Sequence, residues 1–219
     1  MPNIVKNTTL PSLLDLLVPH SCRGCGHIGN ILCDRCKNNI ILENSSVEFK
    51  IPKSFPPIFI VGQRIGLLNN LIQDLKYHSA RAIAKTLAII LHQTLPHFES
   101  PVTIVPLPTI SKHIHSRGLD HTVLISKHLA KIRHYKVKKI LVRDQNTVQV
   151  GADRQTRIKQ AAKAYSINST IKIDPDTTYI LFDDVWTTGA SMKAAVKKLR
   201  QAGAKKIIVA ILAVGSIDQ

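Results

Sequence analysis

Two adjacent aspartates, Asp183 and Asp184, stand between an apolar run and a short hydroxyl-rich loop. The run Tyr179 to Phe182 is typical of a buried strand, and residues 187–191 spell Thr-Thr-Gly-Ala-Ser before a predicted helix. The first turn of a helix has unpaired N–H groups and the positive end of the helix dipole, so it binds anions such as a phosphate monoester. Carboxylates at the end of the strand can accept hydrogen bonds from the two hydroxyls of a ribose. This stretch therefore predicts a site for a sugar phosphate.

A capped helix that follows a strand is the structural alternative. It would account for Thr187 or Asp184 singly, but it gives no reason for two acids, two threonines and a glycine in that order. Asp183 and Asp184 are the candidate catalytic residues. The candidate substrate-binding residues that follow them are Val185, Thr187, Thr188, Gly189, Ala190 and Ser191.

All four cysteines form two Cys-x-x-Cys pairs, Cys22 with Cys25 and Cys33 with Cys36, inside fifteen positions. Two pairs so close together predict one tetrahedral site of four thiolates, which is typical of structural zinc and leaves no open position for catalysis. Two disulfides are the alternative, but a reducing cytoplasm disfavours them, and His27 is a weaker candidate ligand. An iron–sulfur cluster is less favoured because nothing else in the chain indicates redox chemistry. We therefore expect residues 1–45 to form a small zinc-binding module that folds around its metal.

The positive charge of the chain is regional. Its formal net charge is +16, and residues 101–172 hold fourteen basic and three acidic residues. Such an excess favours polyanions, and single-stranded DNA is the candidate, although a solvated basic face explains the charge equally well. Only Tyr135 is aromatic in the densest run, so base stacking has little support. The candidate nucleic-acid contacts are Lys131, Arg133, Lys136, Lys138, Lys139, Arg154 and Arg157.

Alternating strand and helix patterns must position these residues. Helices are predicted at 67–75, 82–91, 119–132 and 190–202, and strands at 102–107, 139–142, 165–171, 179–182 and 207–214. This alternation predicts an α/β fold with a parallel sheet flanked by helices. A proline-containing segment at residues 46–57 is the predicted linker between the module and a main domain at 58–219.

The apolar runs of the chain do not favour membrane insertion. The longest, Ile207 to Val214, is far short of the roughly 20 residues that a bilayer helix needs. Pro11 and Asp15 interrupt the early stretch at residues 10–18, and no small-residue cleavage site follows it. We therefore expect a cytoplasmic protein.

Residues 183–191 resemble the phosphoribosyl-diphosphate signature of type I phosphoribosyltransferases. With the four cysteines, the helix that contains Lys76, residues 105–108 (Val-Pro-Leu-Pro) and Arg117-Gly118, the chain resembles from end to end the competence protein F family. These are phosphoribosyltransferase-like proteins linked to natural transformation in bacteria. Trp186 departs from the pattern, because smaller or less rigid residues are common there.

The resemblance implies a phosphoribosyltransferase-like domain that binds phosphoribosyl diphosphate with Mg²⁺. Lys112 and Arg117, in the loop 106–117, would hold the diphosphate, and a hood loop at 143–157, which begins at Arg143, would close over the sugar. The activity implied is phosphoribosyl transfer onto an unidentified nucleophile. The alternative is a DNA-binding or regulatory protein that keeps the pocket as a sensor. A helicase-like competence protein is a further candidate partner.

Overall fold

The computed structural model describes residues 20–44, 49, 52–77, 80–109, 119–143 and 164–215. The strands are β1 (His20–Ser21), β2 (Ile28–Gly29), β3 (Ile58–Gln63), β4 (Val102–Pro106), β5 (Lys136–Val137), β6 (Leu141–Arg143), β7 (Tyr165–Ile167), β8 (Thr178–Trp186) and β9 (Lys206–Val214). The helices are α1 (Asp34–Asn44), α2 (Gly66–Tyr77), α3 (Ala80–Thr94), α4 (His121–Arg133) and α5 (Ala190–Gln201). None of these helices, in the part of the chain that the structure describes, is both long and apolar enough to cross a membrane.

Five strands form a parallel sheet in the order β3-β9-β8-β4-β5. The predicted parallel sheet flanked by helices is thus confirmed. Strand β8 lies in the middle and is longer than its neighbour β4, because pairing with β4 ends at Pro106↔Phe182 whereas pairing with β9 continues to Trp186↔Val214. Residues 183–186 consequently project past β4 at the carboxyl edge of the sheet, where parallel α/β folds bind ligands.

The sheet separates two apolar cores. Side chains alternate along β8, so that Ile180 and Phe182 pack into the core beneath α2, α3 and α4, whereas Tyr179 and Leu181 pack into the core beneath α5. All five residues of β4 are buried, which is the pattern of a parallel strand covered on both faces. The sheet is therefore a rigid platform for the residues at its carboxyl edge.

Strands β6 and β7 were expected to belong to the parallel sheet, and this prediction was wrong. They form a separate antiparallel pair in which Arg143 lies opposite Tyr165. Leu141 is buried, but Val142, the next residue, is 46% exposed. A parallel strand with helices on both faces would bury both residues, whereas a short ribbon that packs on α5 through one face does not.

The four-cysteine segment shares the core of the rest of the chain. Ile40 of α1 is buried in the same cluster as Leu68 and Leu71 of α2. An ion pair between Arg23 Nε and Asp74 Oδ2, 3.2 Å apart, links the segment to α2. The metal module predicted at residues 1–45 therefore packs directly against the main domain within the described residues.

Arg133, a predicted nucleic-acid contact, is turned towards the protein. Its Nε donates to His92 Nδ1 at 2.8 Å, and its two terminal nitrogens donate to the carbonyls of Leu95 and Pro96, both at 2.5 Å, and to that of His92. Burial, followed by the nearby Arg133 charge, lowers the pKa of His92, which favours the neutral ring that accepts this bond. Arg133 thus satisfies the carbonyls at the end of α3, so its guanidinium is engaged within the protein.

We predict that Arg133→Met lowers the free energy of unfolding by about 2–4 kcal/mol, because several hydrogen bonds from a charged donor are lost together. The matched control is Lys131→Met, an exposed residue of the same helix that should change stability by about 0.5 kcal/mol or less. Urea unfolding followed by circular dichroism measures both. Equal losses in the two variants would contradict the structural role of Arg133.

Candidate functional site

The acidic pair lies on the projecting end of β8. Asp183 and Asp184 are both half-buried, and neighbouring side chains of a strand point to opposite faces. The Asp184 backbone N–H donates to Asp183 Oδ1 at 2.9 Å. Strand β4 ends before this point. Its pairing with β8 stops at Pro106↔Phe182, and the next hydrogen bond, from the Leu107 N–H to the Phe182 carbonyl at 2.8 Å, is the last one between the two segments among the described residues. The carboxylates therefore lie on a part of β8 that is paired on one side only.

Asp183 does not titrate like an ordinary carboxyl. Burial raises its pKa well above the usual range, and the neighbouring Asp184 carboxylate raises it further, while the Arg143 guanidinium acts in the opposite direction. Two adjacent carboxylates repel each other when both are ionised. The pair is therefore suited to a ligand that donates hydrogen bonds or brings positive charge.

The loop after β8 leaves the start of α5 open. Gly189 is the N-cap residue, with φ of +71°, and as a glycine it has no side chain to cap the helix. The Ala190 N–H has only a long contact of 3.4 Å to Thr188 Oγ1. Thr187 and Thr188 are exposed beside this turn. The first-turn N–H groups and the two hydroxyls thus lie close together at the predicted anion site, and groups of these types can bind an anion.

Trp186 forms the base of this loop. Its side chain is buried and makes an edge-to-face contact with Phe55, with ring centroids 5.0 Å apart. A Cβ atom built on Gly189 would lie 2.4 Å from the Trp186 ring. The large Trp186 side chain is therefore accommodated below the loop. Gly189 makes this possible, because it adopts the positive φ and leaves space for the Trp186 ring.

Arg143 and Tyr165 bring the β6–β7 pair to the site. Arg143 Nη1 donates to the Tyr165 hydroxyl oxygen at 3.1 Å, and Tyr165 is only 2% exposed. Burial raises the pKa of Tyr165, whereas the Arg143 charge and a hydrogen bond from Ser191 lower it. The predicted substrate-binding residues Arg143 and Ser191 thus both meet Tyr165, which sequence reasoning missed because no spacing pattern marks it.

The four cysteines converge as predicted. Their sulfur atoms all lie within 4.8 Å of one another, and Cys25 Sγ and Cys33 Sγ are 3.7 Å apart. Gly24 and Cys33 each donate a backbone N–H to Cys22 Sγ at 3.4 Å. Gly24 must be glycine here, since a Cβ would meet Cys36 Sγ at 2.7 Å. The cluster can hold a metal ion such as zinc.

The thiols differ in acidity. Burial raises the pKa of Cys22, but backbone N–H donors from Cys33, Cys25 and Gly24 outweigh this effect and lower it to about 6. Burial and the neighbouring thiols raise the pKa of Cys36 to about 12. Four sulfurs so close together repel one another as thiolates unless a cation offsets their charge. A bound metal ion supplies that positive charge.

Several predicted site residues lie outside the described part of the chain. These are Lys112, Arg117, Arg154 and Arg157, and the same holds for most of the loops 106–117 and 143–157. Among the nucleic-acid candidates that are described, Lys131, Lys136, Lys138 and Lys139 are all exposed. These four lysines are thus exposed to solvent, whereas Arg133 is hydrogen-bonded within the protein.

A parallel α/β sheet whose middle strand ends in two aspartates and enters a helix through Thr-Thr-Gly has a type I phosphoribosyltransferase-like fold. No family model matches the chain. The chain is similar to Competence protein F of Haemophilus influenzae, with 28% identity over 196 residues that cover 84% of this chain and 82% of that protein. The resemblance to competence protein F is thus confirmed.

Two solved structures are also similar. Glutamine phosphoribosylpyrophosphate amidotransferase from B. subtilis, complexed with ADP and GMP, is 17% identical over 58% of this chain, with a TM-score of 0.40, and this chain spans only 25% of its length. A hypoxanthine phosphoribosyltransferase from Staphylococcus aureus is 12% identical, with a TM-score of 0.37, over 64% of this chain and 73% of that one. Both likenesses are distant, so the fold assignment depends on the sheet and loop of this chain.

We predict that Gly189→Ala is more destabilising than an ordinary loss of a positive-φ glycine. It adds a clash with Trp186 to the backbone strain, so we expect about 3 kcal/mol or more. Gly203→Ala is the matched control, because Gly203 has φ of +100° with open space around its Cβ position. It should cost about 1–2 kcal/mol. Urea unfolding measures both, and equal costs would show that Trp186 does not limit the loop.

Proposed function

We propose that the chain binds phosphoribosyl diphosphate at the carboxyl edge of its sheet. The observation that carries the proposal is the acidic pair on the projecting end of β8, shortly before a helix whose N-cap residue is a glycine. The N–H groups of that turn, with Thr187 and Thr188, would hold the 5-phosphate. Asp183 and Asp184 would accept hydrogen bonds from the ribose hydroxyls.

Phosphoribosyl transfer needs little covalent chemistry from the protein. Departure of the diphosphate leaves an oxocarbenium-like sugar, so positioning and electrostatic stabilisation are enough and no protein nucleophile is required. Diphosphates bind proteins together with Mg²⁺, which neutralises part of their charge. Arg143 adds a protein cation on the same side as Asp183.

We predict that the purified protein binds phosphoribosyl diphosphate in the presence of Mg²⁺, and that Asp183→Asn/Asp184→Asn weakens binding at least about 100-fold. The matched control is Asp174→Asn, because Asp174 is an exposed acid before the start of β8, at the opposite edge of the sheet. Isothermal titration calorimetry measures the affinities. Equal binding by the acidic-pair variant and the wild type would contradict the assignment.

Release of diphosphate separates an enzyme from a sensor. A transferase should release it when a suitable nitrogenous acceptor is added, and the acidic-pair variant should not. A sensor should bind the ligand and leave it intact with every acceptor. The two functions therefore share the first measurement and differ in the second.

We also propose that the protein acts in DNA uptake in the cytoplasm, where it contacts single-stranded DNA together with a helicase-like competence protein. The name of its bacterial relative supports the first part, and the exposed lysines Lys131, Lys136, Lys138 and Lys139 support the second. Lysines on a surface neutralise backbone phosphates without reading base sequence. Affinity should therefore depend on salt and little on sequence.

We predict that Lys136→Gln/Lys138→Gln lowers the slope of log affinity for single-stranded DNA against log salt concentration by about 1.4, since each neutralised phosphate contributes about 0.7. The control pair, Lys53→Gln/Lys197→Gln, removes two exposed lysines elsewhere on the surface and should leave the slope unchanged. Fluorescence anisotropy with a labelled oligonucleotide measures both. Equal slopes in the two variants would indicate that Lys136 and Lys138 are solvated surface residues that do not contact DNA.

We propose that the four cysteines bind one structural zinc ion. Four sulfurs in a closed cluster suit tetrahedral zinc, and no fifth described ligand is grouped with them. Because Ile40 and Cys36 are part of the same core as α2, the metal would stabilise the main domain as well as its own segment.

We predict one zinc ion per chain, and its loss in Cys36→Ser with a fall in melting temperature of more than about 10 °C. His27→Ala should keep both the metal and the stability, since the cluster is complete without His27. Atomic emission measures the metal, and calorimetry measures the melting temperature. Retention of zinc by Cys36→Ser, or its loss in His27→Ala, would contradict the four-cysteine site.

A further inference from the structure

Tyr165 occupies an unusual position for a buried tyrosine. It begins β7 directly opposite Arg143, the last residue of β6. Its ring belongs to the core beneath α5, and the Arg143 guanidinium carbon lies 5.5 Å from the ring centroid. Its hydroxyl oxygen accepts a hydrogen bond from Arg143 Nη1 at 3.1 Å. The ring and the hydroxyl thus both hold the same arginine.

The Tyr165 hydroxyl also faces the proposed ligand site. Ser191, in the first turn of α5, hydrogen-bonds to it, and the Asp183 charge acts on it. The Arg143 charge acts on Asp183 in turn. The phenolic oxygen therefore joins β6 and α5 by hydrogen bonds and lies within the electrostatic influence of β8, and these last two elements carry the residues assigned to the phosphate and the ribose. A core tyrosine with only a packing role needs none of these contacts.

We propose that Tyr165 is a positioning residue, whose hydroxyl fixes Arg143 beside Asp183 and Ser191 so that a cation faces the sugar phosphate before it binds. This inference rests on the proposed function, because it assigns a role in binding phosphoribosyl diphosphate. An arginine that is already held loses less side-chain freedom when an anion arrives, and the affinity gains accordingly.

The same arrangement controls the charge of the acidic pair. Among the residues that the structure describes, the titratable and charged groups that act on Asp183 are Asp184 on its own strand, Arg143 on β6 and Tyr165 on β7. If Arg143 is released, its favourable interaction with ionised Asp183 weakens. The carboxyl then holds its proton to higher pH, and a protonated carboxyl accepts fewer hydrogen bonds from ribose hydroxyls.

The decisive variant is Tyr165→Phe, which keeps the buried ring and removes only the hydroxyl. Tyr179→Phe is the matched control, since Tyr179 is equally buried at 2% exposure and its hydroxyl bonds to Asp174 N and O, away from the site. Affinity for phosphoribosyl diphosphate with Mg²⁺ is measured by calorimetry between pH 5.5 and 9. Comparing the two variants separates loss of the Arg143 contact from loss of a buried hydroxyl in general.

We expect Tyr165→Phe to bind about tenfold more weakly than the wild type and Tyr179→Phe to bind equally well. The pH below which the affinity declines should be higher in Tyr165→Phe than in the wild type, and it should be unchanged in Tyr179→Phe. In an Arg143→Met background, Tyr165→Phe should have no further effect, because the residue that it positions is gone. Unchanged affinity in Tyr165→Phe, or full additivity with Arg143→Met, would overturn the inference.

A ligand-free measurement makes the inference independent of the assay. The carboxyl ¹³C resonance of Asp183, titrated by NMR, should show a higher pKa in Tyr165→Phe than in the wild type and in Tyr179→Phe. An unshifted pKa overturns the inference even if binding is confirmed. Failure of the wild type to bind phosphoribosyl diphosphate, with the pKa shift present, would overturn the proposed function and leave the Arg143 contact in place.

Discussion

The start of helix α5 determines what the site can do. A helix usually has an N-cap side chain that bonds to its first N–H groups, but here the N-cap residue is Gly189, and the Ala190 N–H has a 3.4 Å contact to Thr188 Oγ1 instead. Trp186 lies directly beneath Gly189 and leaves no room for a larger residue. The position of the turn is therefore set from below by packing, while its upper side stays open to an anion. In the proposed function, the neighbouring carboxylates restrict which anion binds, because they favour one that also carries hydroxyl groups.

The remaining architecture supports this turn from both sides of the sheet. Strand β8 extends past β4 and is held there by β9 alone, which carries the aspartates beyond the core. On one face, the β6–β7 pair brings Arg143 and Tyr165 against α5. On the other face, α2, α3 and α4 form a core that continues into the four-cysteine segment. A metal ion held by that segment would thus act on the stability of this core and of the sheet that it supports. It would not take part in the chemistry beside Asp183 and Asp184.

Local sequence patterns predicted the strand, loop and helix around residues 183–191 better than they predicted the surroundings. The acids, threonines and glycine at 183–189 follow one strand and begin one helix, so short-range geometry is enough to place them together. The cysteine cluster was predictable for the same reason. The intramolecular bonds of Arg133 could not be predicted, because its charge is visible in the sequence, whereas the carbonyls that it bonds, at the end of α3, are about forty residues away. Tyr165 and the antiparallel pairing of β6 with β7 also depend on contacts between distant segments, which periodicity does not reveal.

Hydrogen exchange at the first turn of α5 tests the central claim most directly, because the claim concerns particular N–H groups. Addition of phosphoribosyl diphosphate with Mg²⁺ should slow exchange at residues 188–191, while the amides of residues 174–177, at the opposite edge of the sheet, should be unaffected. Unchanged exchange at 188–191 under saturating ligand, or equal slowing at both edges, would contradict the assignment of this turn as the phosphate-binding site.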